Sequence, residues 1–113
     1  MYFTSGASES NNWAIKSAAT NYRMAHPTGG HIICSALEHD SVLRACEQVV
    51  QLFDYDITWV RPLNLSDCAM TLDDVLKAVR PDTFLICAMA VNNELGTTNA
   101  IEEITSYAHE RNI

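Results

Sequence analysis

The sequence predicts an α/β fold, a three-layer arrangement in which a mostly parallel sheet is flanked by helices. Three observations predict it. Short apolar, β-branched runs alternate along the chain with segments whose apolar residues recur every three or four positions. The run Thr83-Phe84-Leu85-Ile86-Cys87-Ala88-Met89-Ala90-Val91 is almost wholly apolar, as a central parallel strand covered on both faces would be. The chain of 113 residues, 48% hydrophobic and 19% charged, is of a size and composition that buries a core instead of staying disordered.

The elements follow in order. Met1–Thr4 is aromatic and β-branched and reads as the end of a strand. A turn of small residues comes next; Gly6 gives it conformational freedom, and Ser5 and Ser8 are candidate N-caps. A helix is expected from about Ser8 to Met24, with Trp13, Ala14, Ala18 and Tyr22 on a shared face, until His26-Pro27-Thr28-Gly29-Gly30 stops it. His31–Ser35 is a short buried strand. Val42, Leu43, Cys46, Val49, Val50 and Phe53 give the three-four spacing of a helix from Asp40 to Phe53. Asp56–Arg61 is a third strand, ended by Pro62, and Asn64–Met70 a polar loop. Thr71 with Asp73 and Asp74 starts a short helix to about Val79. The apolar strand from Thr83 and a helix from about Ala100 to Arg111 complete the series.

Composition narrows the function. A net charge of −7, with Lys16 and Lys77 as the lysines and the arginines scattered, argues against a nucleic-acid partner. No apolar run reaches membrane-spanning length and no signal-peptide pattern opens the chain, so a cytoplasmic protein without a membrane partner is expected. Cys34, Cys46, Cys68 and Cys87 form no C-x-x-C pair. Local spacing therefore supports no zinc site, no metal is expected, and the thiols are expected to be reduced. Right-handed crossovers place the carboxyl ends of parallel strands on one edge, where ligands of such sheets bind. Three polar clusters fall there: Gly6–Glu9, Glu38-His39 and Asn92-Asn93-Glu94. Met1 opens inside an expected strand and Ile113 follows a helix, so the chain reads as a fragment cut at both ends.

Three stretches carry a family resemblance, in the same order as in the family: FTSGASESNNWAIK at Phe3–Lys16, SALEHDSV at Ser35–Val42 and MAVNNELGT at Met89–Thr97. The chain resembles the NifS/IscS-type cysteine desulfurases, pyridoxal-phosphate (PLP) enzymes of the class V aminotransferase group and of fold type I. The resemblance runs from about Tyr2 to Ile113. It implies that residues 1–113 are part of the large, PLP-binding domain. The second asparagine and glutamate of the last motif set the chain apart from the SufS-like branch. The Glu38–Ser41 segment is also similar to that of selenocysteine lyases.

The resemblance implies a role for each matched residue. Ala7 and Ser8 fall on the phosphate-binding positions, Ser8 standing where the family most often has threonine. His39 falls on the histidine that stacks on the PLP ring and is a candidate for moving protons at the substrate; an imidazole suits both tasks. Asn93 falls on the asparagine that bonds the ring's phenolic oxygen. The aspartate at the ring nitrogen, the lysine bonded to the cofactor and the persulfide-forming cysteine would all lie beyond Ile113. The parent is thus expected to be a homodimeric enzyme that takes sulfur from L-cysteine, giving L-alanine and a persulfide. An acceptor protein of iron–sulfur cluster or thio-cofactor assembly would receive the sulfur. The chain alone is expected to be inactive. Selenocysteine lyase or another class V PLP enzyme is the alternative, and a non-catalytic module or degenerate partner subunit is a third.

Overall fold

The computed structural model describes residues 1–61, 70–90 and 100–113. Asn93, Cys68 and most of the expected polar loop lie outside the described residues. The elements are α1 (Ala7–Ala25), β1 (His31–Ser35), α2 (Asp40–Phe53), β2 (Asp56–Val60), α3 (Leu72–Ala78), β3 (Thr83–Cys87) and α4 (Ile101–Glu110). The three strands form one parallel sheet in the order β2-β1-β3.

β1 is the centre of the molecule. Ile32, Ile33 and Cys34 have no exposed surface. Alternation along the strand sends Ile32 and Cys34 to one face, where Ile15 and Ala19 of α1 and Val42, Cys46 and Val49 of α2 cover them. Ile33 faces the other way, against Met70, Val75 of α3 and Ile104 of α4. The result is the expected three layers. α2 carries the expected apolar stripe and ends at Asp54, which takes the left-handed conformation at φ 57°. Thr71 caps α3 in a full capping box with Asp74, so two backbone donors of that helix start are satisfied reciprocally.

Four expectations need correction. Met1–Thr4 is not a strand; Met1, Tyr2 and Phe3 are exposed, and Tyr2 packs its ring on Trp13 at 5.3 Å between centroids. A strand needs a ladder partner, and no strand lies beside this segment among the described residues. The buried stripe of α1 is Ile15 and Ala19 with Tyr22 partly buried, while Trp13 is 48% exposed. Neither Ser5 nor Ser8 caps α1: Gly6 holds the cap position without a side chain, and Ser8 lies inside the first turn. β3 ends at Cys87 and is an edge strand of the described sheet, with half-buried residues after Thr83, so β1 and not β3 is central.

Candidate functional site

The chain leaves β1 towards α2, on the face it shares with α1, and after β3 it reaches α4 on the opposite face. Neighbouring parallel strands whose continuations part in this way open a crevice at their carboxyl ends. Here a hydrogen bond spans it: Glu38, just past β1, accepts the Met89 backbone N–H at 2.6 Å, just past β3. Glu38 is buried. Burial raises its pKa above the usual carboxyl value, against the lowering effect of the Met89 bond.

Beside this crossbar lies a cavity of about 370 Å³, lined by Asn11 and Ala14 of α1, Glu38, His39 and Val42 at the start of α2, and the end of β3 through Met89. That volume is in the range of small-molecule sites. His39 occupies the N-cap position of α2 and its side chain is exposed at the cavity. Its Nδ1 accepts the Ser41 backbone N–H at 3.1 Å and lies 2.9 Å from the Ser41 hydroxyl. An Nδ1 that accepts leaves the proton of the neutral ring on Nε2. Nε2–H is therefore the donor the ring can offer to a ligand. Asn11 donates to the Ser41 hydroxyl at 3.0 Å and ties the first turns of α1 and α2 together.

Ala7 and Ser8 sit one turn before Asn11, at the same end of α1, so they share an edge with His39, although neither lines the cavity. The unpaired N–H groups of that helix start favour an anion. Glu9 lies in the same first turn, and its carboxylate accepts from the Ser5 hydroxyl and, at 2.8 Å, from the Ser5 N–H just before the cap. Those bonds lower its pKa. Lys16 is exposed on α1 and Lys77 pairs with Asp73 at 2.8 Å on α3; neither lines the cavity.

Reading the sequence by motif missed the parts of Asn11 and Glu38. A signal for Asn11 was present: it precedes Ile15 and Ala19 at four-residue intervals, so a polar side chain lies on the buried stripe and needs a partner there. Glu38 shows no such periodicity, because it lies in the turn between β1 and α2.

Comparison with known proteins gives the family. The profile of the family described as Aminotransferase class-V matches residues 1–113. The cysteine desulfurase IscS of Vesicomyosocius okutanii subsp. Calyptogena okutanii is 41% identical over 113 residues, which are 100% of this chain and 26% of that protein. A mitochondrial cysteine desulfurase of Candida maltosa is 42% identical over 113 residues, 100% of this chain and 22% of its own length. Among solved structures, one described as SspA in complex with cysteine superposes with a TM-score of 0.82 at 40% identity, covering 97% of this chain and 30% of that one. A NifS-like protein gives a TM-score of 0.82 at 32% identity, covering 98% and 29%. The chain thus spans about a quarter of the length of the curated relatives it matches. The chain belongs to the class V aminotransferase family.

Proposed function

We propose that this chain supplies part of the cofactor-binding domain of a PLP-dependent cysteine desulfurase, an enzyme that takes sulfur from L-cysteine and leaves L-alanine. The observation that carries the proposal is that the His39 ring at the start of α2 and Asn11 of α1, joined through Ser41, line one cavity at the carboxyl edge of the sheet, one turn from the amino terminus of α1. The curated relatives named cysteine desulfurase, and the structural neighbour whose description includes cysteine, support the substrate class.

The residues present fit a flat, anionic cofactor. Ala7, Ser8 and the backbone N–H groups of the first turn of α1 would receive its phosphate. His39 would lie against its ring, and Asn93 would bond its phenolic oxygen. When bound, PLP supplies an electron sink for bond breaking next to the substrate's amino group. The chain's own contribution is orientation and hydrogen bonding. Asn11 and the Ser41 backbone N–H hold His39 with Nδ1 as acceptor, so the ring offers Nε2–H as a donor towards the substrate. Glu38 fixes the floor of the crevice by holding Met89. In the whole enzyme a homodimer and a sulfur-acceptor protein complete the cycle.

A visible-absorption titration with PLP tests the proposal, comparing the protein with its Ser8→Ala and His39→Ala variants. Saturable binding that weakens about threefold to tenfold on loss of the His39 ring is expected, the range worth of one ring–ring contact. Equal affinity in all three would contradict the assignment. Assay of alanine release from L-cysteine by the full-length enzyme, with and without His39→Ala, tests the reaction itself.

A further inference from the structure

We infer that Cys34, Cys46 and Cys87 together form a binding site for one soft, thiophilic metal ion of low coordination number, with Cu(I) as the ion whose chemistry it fits. The inference does not rest on the proposed desulfurase reaction, which uses none of these thiols.

The three residues are far apart in sequence and come from three elements, β1, α2 and β3. No local motif joins them, which is why spacing alone gives no metal site. The fold does join them: Cys34 and Cys87 are register partners on adjacent strands, and Cys46 descends on them from α2. All three sulfurs lie within 4.8 Å of one another, and Cys46 and Cys87 are 3.8 Å apart. A metal–thiolate bond is about 2.3 Å, so three sulfurs in a plane around one ion stand about 4.0 Å apart. The triad is already close to that triangle before any ion is bound.

The donor set selects the ion. Three sulfurs and, among the described residues, no histidine or carboxylate in the same cluster make a soft, three-coordinate site. Structural zinc takes four ligands in a tetrahedron, which this cluster does not offer. Cys34 and Cys46 are fully buried, whereas Cys87 is partly exposed and lines the 370 Å³ cavity, so that cavity is the entry path. Each thiol that coordinates the ion releases its proton to solvent.

The test is an anaerobic titration of the fully reduced protein with Cu(I), in competition with a chromogenic Cu(I) chelator, followed by X-ray absorption of the loaded protein. The expected result is one ion per chain bound by three sulfurs at about 2.3 Å. Cys87→Ala is expected to weaken binding at least tenfold, and Cys68→Ser to leave it unchanged. Circular dichroism confirms that each variant is folded. Should Cys34→Ala or Cys46→Ala unfold the core, substitution of the partly exposed Cys87, Cys87→Ala, decides alone. Undiminished binding in Cys87→Ala, loss of binding in Cys68→Ser, nitrogen or oxygen ligands in the absorption spectrum, or no binding in competition would each overturn the inference.

Discussion

At the amino edge of the sheet, polar groups are spent on one another. Arg80 bridges Asp56 at 2.8 Å and Asp82 at 3.3 Å, and Asp82 also accepts the Gly30 N–H at 3.0 Å. The His31 ring is held between the hydroxyls of Thr58 and Thr83, each at 2.7 Å, and so pins β1 to both its neighbours. Arg23 donates to the carbonyls of His26, Gly29 and Phe53 and lies over the Tyr55 ring, 4.7 Å from its centroid. At the carboxyl edge, the bonds of Glu38, Asn11 and Ser41 instead frame a cavity and orient one imidazole towards it. One sheet thus has an edge whose polar chemistry holds the strands together and an edge whose polar chemistry lines a cavity. Substitutions at the first should cost stability and spare the site; substitutions at the second should do the reverse.

The largest effect is expected at Gly30. Its φ is +116°, and an added Cβ would stand 2.4 Å and 2.5 Å from atoms of the Tyr55 ring. Tyr55 is itself fixed, its hydroxyl donating to the Ala19 carbonyl at 2.5 Å. Gly30→Ala is expected to destabilise the fold by about 2–4 kcal/mol, combining backbone strain with overpacking. Urea unfolding measures the loss. A folded Gly30→Ala protein that keeps full stability would break the contrast at its strongest point.

Next comes His31. Burial, and to a lesser degree Arg80, lowers its pKa from the ordinary 6.5. The unfolded chain therefore takes up the proton more readily than the folded one. The stabilising contribution is fully present above pH 6.5 and declines as the pH falls from 6.5 towards the depressed folded value. His31→Leu is expected to remove that pH dependence while costing about 1–3 kcal/mol at neutral pH, because the Thr58 and Thr83 hydroxyls lose their partner. Thermal melts from pH 5 to 8 read both effects.

The smallest effect on stability is expected at Asn11. Asn11→Ala removes one part-buried hydrogen bond, worth about 0.5–1.5 kcal/mol. Its effect on the site is expected to be larger in kind: Ser41 loses one of its anchors, and the His39 Nε2–H tautomer is less strongly selected. Nitrogen-15 shifts of the His39 imidazole should move towards the average of the two tautomers, while those of His31 stay fixed.

The contrast also explains what the sequence disclosed. α2, β1 and the capped start of α3 were legible because periodicity and capping residues are local, and Val42–Phe53 or Thr71–Asp74 carry their whole signal within a few turns. Met1–Thr4 has strand-like residues, but strand formation depends on a partner that local sequence does not name. For β3 the apolar run foretold a strand yet not its place in the sheet, since coverage depends on which elements pack against it. Ser5 and Ser8 have the right chemistry for caps, but Gly6 holds the cap position and Glu9 draws Ser5 to itself. In the site, His39 was visible through its flanking segment. Asn11, Ser41 and Glu38 act through residues distant in sequence, and the same distance hid the cluster of Cys34, Cys46 and Cys87.

The central claim is that the cavity at the carboxyl edge, with His39 on its wall, is where the cofactor binds. The chain has four histidines, and they report on separate places: His39 at the cavity, His31 at the amino edge, His26 stacked on Tyr22 and His109 on α4. A carbon–proton correlation spectrum of the imidazoles during titration with PLP tests the claim most directly. The account predicts that the His39 resonances shift with saturation, from ring stacking, while those of His26, His31 and His109 stay in place. A saturable shift at any of the other three with His39 unmoved would contradict it.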